Sequence, residues 1–372
     1  GVCPELKNSR AAINALDAAL AQATAFDVDQ RPANAKLLAD SILPWLDDQP
    51  RSVHVSTRWM ECVKQLDVSP SRIERDWMVR HPPGDDRVIL GAAWNADGHC
   101  LGATTRGLEY FDGTSWTPLP PADCLADCQV FNVRQLSSTN WLVTTSGGRL
   151  VEVAREGTSV IAQAPDRSVD FLDIDGDIED FAVAVGRAAG RPPLLCTRIG
   201  RRWLKPFEVA DVAHVSTLSR LSDDRWLVAG RGRNGHAWAG IYQPLEMTIV
   251  SVPVPVARAL LASVSRCNQG VAVAVGVDGA VLCLDGLQVG ASAVTGQFDL
   301  TVVAMDLATQ VWMASCGRIF FAHEPLGAAE CVWRDADWRV PFVSLHADMG
   351  HLIGLTVDGG VIECRSTMRA TA

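Results

Sequence analysis

Apolar positions change their period near residue 87. Before it, Leu6, Ile13, Leu16 and Leu20, then Leu37, Leu38, Ile42, Trp45 and Leu46, recur near three- and four-residue intervals, which places them on one stripe of a helix. Pro32, which follows Asp27-Val-Asp29, suits the first turn of the second helix, where a missing N–H costs nothing. Trp59, Met60, Val63 and Leu66 fit a third, shorter helix. From Arg87 onward the apolar runs shorten to four to seven residues between Gly, Asp and Asn turns, and this predicts strands.

The strands repeat. A second strand running into a glycine turn appears as Leu101-Gly-Ala-Thr-Thr-Arg-Gly107, Trp141-Leu-Val-Thr-Thr-Ser-Gly-Gly148, Phe181-Ala-Val-Ala-Val-Gly186, Trp226-Leu-Val-Ala-Gly230, Val271-Ala-Val-Ala-Val-Gly276, Val311-Trp-Met-Ala-Ser315 and Leu352-Ile-Gly-Leu-Thr356. With Gly107, Gly148, Gly190, Gly235, Gly279, Gly317 and Gly360 as turn markers, the steps run from 38 to 45 residues, the period of a four-stranded propeller blade. The fold expected is therefore all-β: a seven-bladed β-propeller over 71–372 behind a small α-helical segment over 1–70. The last repeat runs out after Val361-Ile-Glu-Cys364, with eight residues left. Trp77-Met-Val-Arg80, just ahead of the first repeat, is the natural lender of the missing strand, since closure removes an exposed sheet edge.

Two resemblances accompany the repeats. Leu101 to Gly113 followed by Trp116 resembles the short repeat of bacterial sensor-type propellers of the two-component-regulator kind, which implies the fold and a sensor or scaffold role. Ala18 to Leu46, with Arg31-Pro32, Ala35 and Leu38, looks like the C-terminal helices of a bacterial Ser/Thr kinase domain. No His-Arg-Asp loop, Asp-Phe-Gly or strand lysine of a kinase is present, so this likeness implies a regulatory remainder rather than a kinase.

Composition narrows the classes. A hydrophobic fraction of 48% over 372 residues supplies a sizeable core, and a net charge of -10 disfavours nucleic acid and anionic membranes as partners. No uncharged apolar run reaches the roughly 18 residues of a membrane span and no signal-peptide pattern opens the chain, so a soluble protein without membrane insertion is expected. The eleven cysteines are odd in number and mostly sit singly in apolar runs, as reduced thiols do in the cytoplasm. The close pair Cys124 and Cys128 has no second pair or His-x-x-His nearby; it reads as a local disulfide or two unrelated thiols, not as zinc ligands. No metal or cofactor motif emerges. In Asp173-Ile-Asp-Gly-Asp-Ile-Glu-Asp180 the glycine comes fourth, not sixth as a helix-loop-helix calcium loop requires.

Aligning the repeats brings Gln135, Asp173, Arg220, Arg266, Asp306 and His346, with Ala93 in the first, to one position on the innermost strands. Blade order puts Asp173 beside Arg220 and Arg266 beside Asp306. Such a row is either a ring of inter-blade ion pairs or a set of donors, Arg220, Arg266 and His346, for an anionic ligand in the channel. The turns between second and third strands place Arg106, Arg149, Arg187, Arg191, Arg231, Arg233 and Arg318 on one face, either as a patch for an acidic partner or as solvated turn residues balanced by Asp85, Asp86, Asp123, Asp127, Asp166 and Asp170. No nucleophile elbow is present and the eight histidines do not cluster. The function expected is non-catalytic binding of a protein partner or small ligand, as a sensor, a scaffold or a kinase-associated regulatory module. An inhibitor or immunity protein against a cognate toxin and an enzyme with a channel site are the alternatives.

Overall fold

In the computed structural model, residues 75–366 are described, apart from 85, 96, 138, 155–156, 255–256, 286–287, 294–297, 326 and 349–350. The helices read over 1–70, including the kinase-like stretch 18–46, lie outside the described residues. The rest is a seven-bladed β-propeller of antiparallel, mostly four-stranded sheets. The innermost strands, from blade 1 to blade 7, are Ile89–Trp94, Val130–Gln135, Asp170–Gly176, Val212–Ser222, Leu260–Arg266, Val302–Met305 and Phe342–Asp348. Each touches its neighbours on both sides, and the seventh meets the first, so the ring is closed. No helix among the described residues is long and apolar enough to cross a membrane.

The second strands read as continuous apolar runs because both faces of each sheet are covered by another blade. Val271–Gly276 is buried at every position, and Cys100–Thr104, Trp141–Thr145 and Val311–Ser315 likewise. The core is consequently divided into seven apolar wedges, one for each gap between blades. Six of the turn markers, Gly107, Gly148, Gly190, Gly235, Gly279 and Gly317, have positive φ, while in blade 7 that role falls to Gly359 rather than Gly360. Gly317 shows why glycine is required there: with φ at 60°, a Cβ would also lie 2.4 Å from the Asp335 carbonyl oxygen.

The outermost strand of blade 7 is Arg75–His81, which pairs antiparallel with Val361–Ser366, Trp77 opposite Cys364 and Met78 opposite Glu363. The two ends of the propeller therefore share one sheet. On the face of the second-to-third turns, called the arginine face below, blades 7 and 1 are joined by the Ile89 amide donating to Val357 O (2.8 Å) and by Trp116 Nε1 donating to Gly359 O (3.1 Å).

Candidate functional site

An innermost strand has one unpaired edge, whose backbone groups require partners. The channel-side polar residues supply them. The Asp173 carboxylate accepts the Leu218 amide (3.4 Å) and the Asp175 carboxylate the Arg220 amide (2.6 Å), both from the next blade. Arg266 donates to the carbonyls of Met305 and Asp306, and Arg134 to that of Leu218. These side chains complete the sheet edges.

The pairings expected from blade order are corrected by this geometry. The partner of Asp173 is Arg134 on blade 2, which grips it through Nε (3.1 Å) and Nη2 (3.0 Å), with Asn132 Nδ2 adding a third bond at 2.9 Å. Arg220 instead pairs with Asp223 in its own turn (3.1 Å) and lies over the Trp226 ring. The reason is register: Asp173 directly follows a bulge and faces Val185, whereas Arg220 stands at the far end of its strand opposite Trp226. Arg266 is beside Asp306 but bonds its carbonyl, not its carboxylate, which caps the amides of Ala308 and Gln310 (2.9 Å each). Gln135 is exposed at a strand end. His346 is half-buried; burial is the largest influence on it and lowers its pKa, Asp348 opposes, and the charges of His351 and Arg266 lower it further. Burial would lower the Arg134 pKa, but Asp173 and then Asp175 outweigh it and raise it. Asp173 and Arg220 thus each have a partner other than one another, whereas Arg266 is beside Asp306 and its charge reaches His346.

The arginine face is likewise divided. Arg187 pairs with Asp170 (3.1 Å) and lies over Phe131, and Arg191 pairs with Glu208 (2.8 Å). Arg318 sits over Phe298, 3.9 Å from its centroid, and Arg149 Nη1 donates to Cys124 O (3.2 Å) and Cys128 Sγ (3.1 Å). Arg106, Arg231 and Arg233 are exposed. Cys124 and Cys128 are free thiols, and no described group of three or more His, Cys, Asp or Glu is disposed to hold a metal ion.

The chemistry concentrates elsewhere, in a cavity of about 330 Å³ in the wedge between blades 7 and 1, open toward the face opposite the arginine face. Blade 1 contributes Trp94 and Phe111 to it, with Asp97 and Asp112 from its turns; blade 7 contributes Ile353, Val361, Glu363, His351, Arg365 and, from the closing strand, Arg80. Glu363 is only 4% exposed and is held by three side chains: Arg80 Nε on Oε2, Arg365 Nε (2.6 Å) and His351 Nε2 (2.8 Å) on Oε1. Burial would raise its pKa, but the bonds from Arg80, Arg365 and His351 bring it down to about 2. Against this satisfied acid stands an unsatisfied donor, since Trp94 is 3% exposed and its Nε1 has no partner among the described residues.

A carboxyl whose folded pKa lies below its ordinary 4.5 stabilises the fold above that value and loses the contribution as pH falls toward 2. Glu363→Gln is therefore expected to melt well below the parent at pH 7, with the gap narrowing steadily between pH 4.5 and about 2. Thermal melts of both proteins across that range check this. A gap independent of pH would show that the ionised carboxylate is not the stabilising species.

Sequence reasoning missed Arg134, Glu363 and Trp94. Two left a signal: Arg134 interrupts an inner strand one residue before Gln135, and Glu363 breaks the run Val361 to Cys364 with Arg365 close behind. Trp94 reads as an ordinary core residue, because an absent partner cannot be seen in a sequence.

No protein-family model and no curated protein matches the chain. Solved structures match over the propeller. Selenomethionine-substituted virginiamycin B lyase from Staphylococcus aureus is 9% identical with a TM-score of 0.63, covering 79% of this chain and 100% of that one. YCF48 from Cyanidioschyzon merolae is 14% identical with a TM-score of 0.56, covering 78% and 98%. The extracellular domain of the putative one-component system BT4673 from B. thetaiotaomicron is 13% identical with a TM-score of 0.58, covering 78% of this chain and 40% of that one. At these identities the likeness shows the fold alone. The kinase likeness of residues 18–46 finds no support in these comparisons.

Proposed function

We propose that this protein is a non-catalytic, ligand-binding propeller of the sensor or scaffold kind, and that the wedge between blades 7 and 1 is its binding site. The observation that carries this reading is the state of Glu363. An acid triply bonded and held at about 2 is a poor proton acceptor near neutral pH, so the wedge's one buried acid is unsuited to general base work. Its lining contains no serine or cysteine, and the Thr114 hydroxyl donates to Asp112 (2.8 Å). An apolar wall of Trp94, Phe111, Ile353 and Val361 with a few convergent charges is what a small-ligand site consists of.

A protein partner belongs to the same reading. Arg231 and Arg233 are exposed on the arginine face, and Val88 and Leu90, 44% and 43% exposed, sit on that face at blade 1. The fold serves such a role elsewhere: YCF48 has been solved bound to a D1 peptide.

The site is tested by screening the full chain against small metabolites by calorimetry, alongside Thr114→Trp, which places an indole at the exposed rim of the wedge. Ligands that bind the parent, fail to bind the folded variant and are recovered unchanged are the expected result. Recovery of a chemically altered compound would sink the non-catalytic reading.

A further inference from the structure

We infer that the wedge takes a small carboxylate with an apolar body, its carboxylate on the guanidinium groups of Arg80 and Arg365 and its apolar part against Phe111, Ile353 and Trp94. This rests on the wedge being the binding site.

The argument begins with how Glu363 holds the two arginines. It engages Arg80 through Nε on one oxygen and Arg365 through Nε on the other. An arginine tied through Nε keeps both terminal amino groups, and none of these makes a hydrogen bond among the described residues. Two oriented forks therefore face one buried carboxylate, which leaves one positive charge over at the Glu363 cluster. Arg365 is 64% exposed, so its free end reaches an incoming ligand. Planar forks of this kind match a planar carboxylate.

The acids of the opposite wall, Asp97 and Asp112, are exposed, so solvent screens their charge. Asp112 spends Oδ1 on the amides of Thr114 (2.9 Å) and Ser115 (2.8 Å) within its own turn, and Asp97 is exposed in the turn above. An amine on the ligand would meet the two guanidinium groups beside Glu363. A cavity of about 330 Å³ is at the small end for ligand sites, the size of an aromatic acid rather than of a peptide or nucleotide.

The experiment is calorimetry on the full chain with a graded set of probes: acetate, phenylacetate, 3-phenylpropionate and indole-3-acetate, then 3-phenylpropionamide, 3-phenylpropylamine and inorganic phosphate. At least one aryl acid is expected to bind, with the matched amide weaker by about tenfold or more and the amine not bound. Arg365→Gln should weaken the acid by about tenfold and leave the amide unmoved. Equal binding of acid and amide, tighter binding of the amine, or binding of phosphate alone would overturn the carboxylate assignment while leaving the wedge a site. Failure of every probe to bind in a manner that Thr114→Trp abolishes would overturn the site itself.

Discussion

Consecutive prolines at Met78 and Val79 are expected to open the propeller. Arg75–His81 is the fourth strand of blade 7, and Met78 and Val79 face Glu363 and Ile362. In an antiparallel pair, successive residues alternate between pointing their N–H at the partner strand and away, so one of any two adjacent prolines removes a ladder bond. Proline also fixes φ near −65°, short of a strand's extended value. The loss is amplified because this strand ties the last blade to the chain ahead of the first. Trp77 packs on Trp333 of blade 6, with centroids 5.9 Å apart, and Arg80 is a ligand of the Glu363 cluster. A destabilisation of about 4 kcal/mol is expected, together with self-association through the uncovered Val361–Ser366 edge. Calorimetry and size-exclusion chromatography check both. An unchanged melting temperature would mean that the ring does not depend on this strand.

Asp173→Ala is expected to cost about 3 kcal/mol, the largest loss for any single channel residue. Asp173 is 4% exposed, and its removal strands the Arg134 guanidinium and the Leu218 amide together. For a propeller of this size that corresponds to a fall in melting temperature of about 6 °C. Adding Arg134→Met should recover part of the loss, because the unpaired charge is then gone and the methionine still packs. Arg220→Ala should cost only about 1 kcal/mol, as its carboxylate partner Asp223 is 96% exposed and a surface pair contributes little. If Arg220→Ala proved as damaging as Asp173→Ala, the assignment of Arg134 as the partner would be wrong.

These two expectations differ in how far they are legible without the structure. The shortage of a strand after Cys364 and the short apolar segment Trp77 to Arg80 ahead of the first repeat are both local in the chain, and Arg75–His81 occupies the vacant position. The partner of Asp173 is not local. Arg134 and Asp173 lie 39 residues apart on different blades, and their meeting depends on a bulge that moves one side chain along its strand relative to the next blade. Aligning repeats by their turns carries no information about such a bulge: it puts Gln135 level with Asp173, whereas its neighbour Arg134 makes the contact. The arginine face shows the same limit: repeat position puts its arginines on one rim, but whether each is paired is decided by the acids at neighbouring strand ends, Asp170 for Arg187 and Glu208 for Arg191.

What the sequence determined by itself is the scaffold. Strand runs, glycine turns and a spacing near forty residues are local properties of backbone conformation and apolar periodicity, and they specify seven blades without reference to any long-range contact. The tertiary structure alone decided the site. Trp94 and Phe111 at one end of the propeller sequence meet Glu363 and Arg365 at the other, and Arg80 reaches Glu363 across 283 residues. Ring closure forces those ends into one wedge, where a buried acid and two arginines meet.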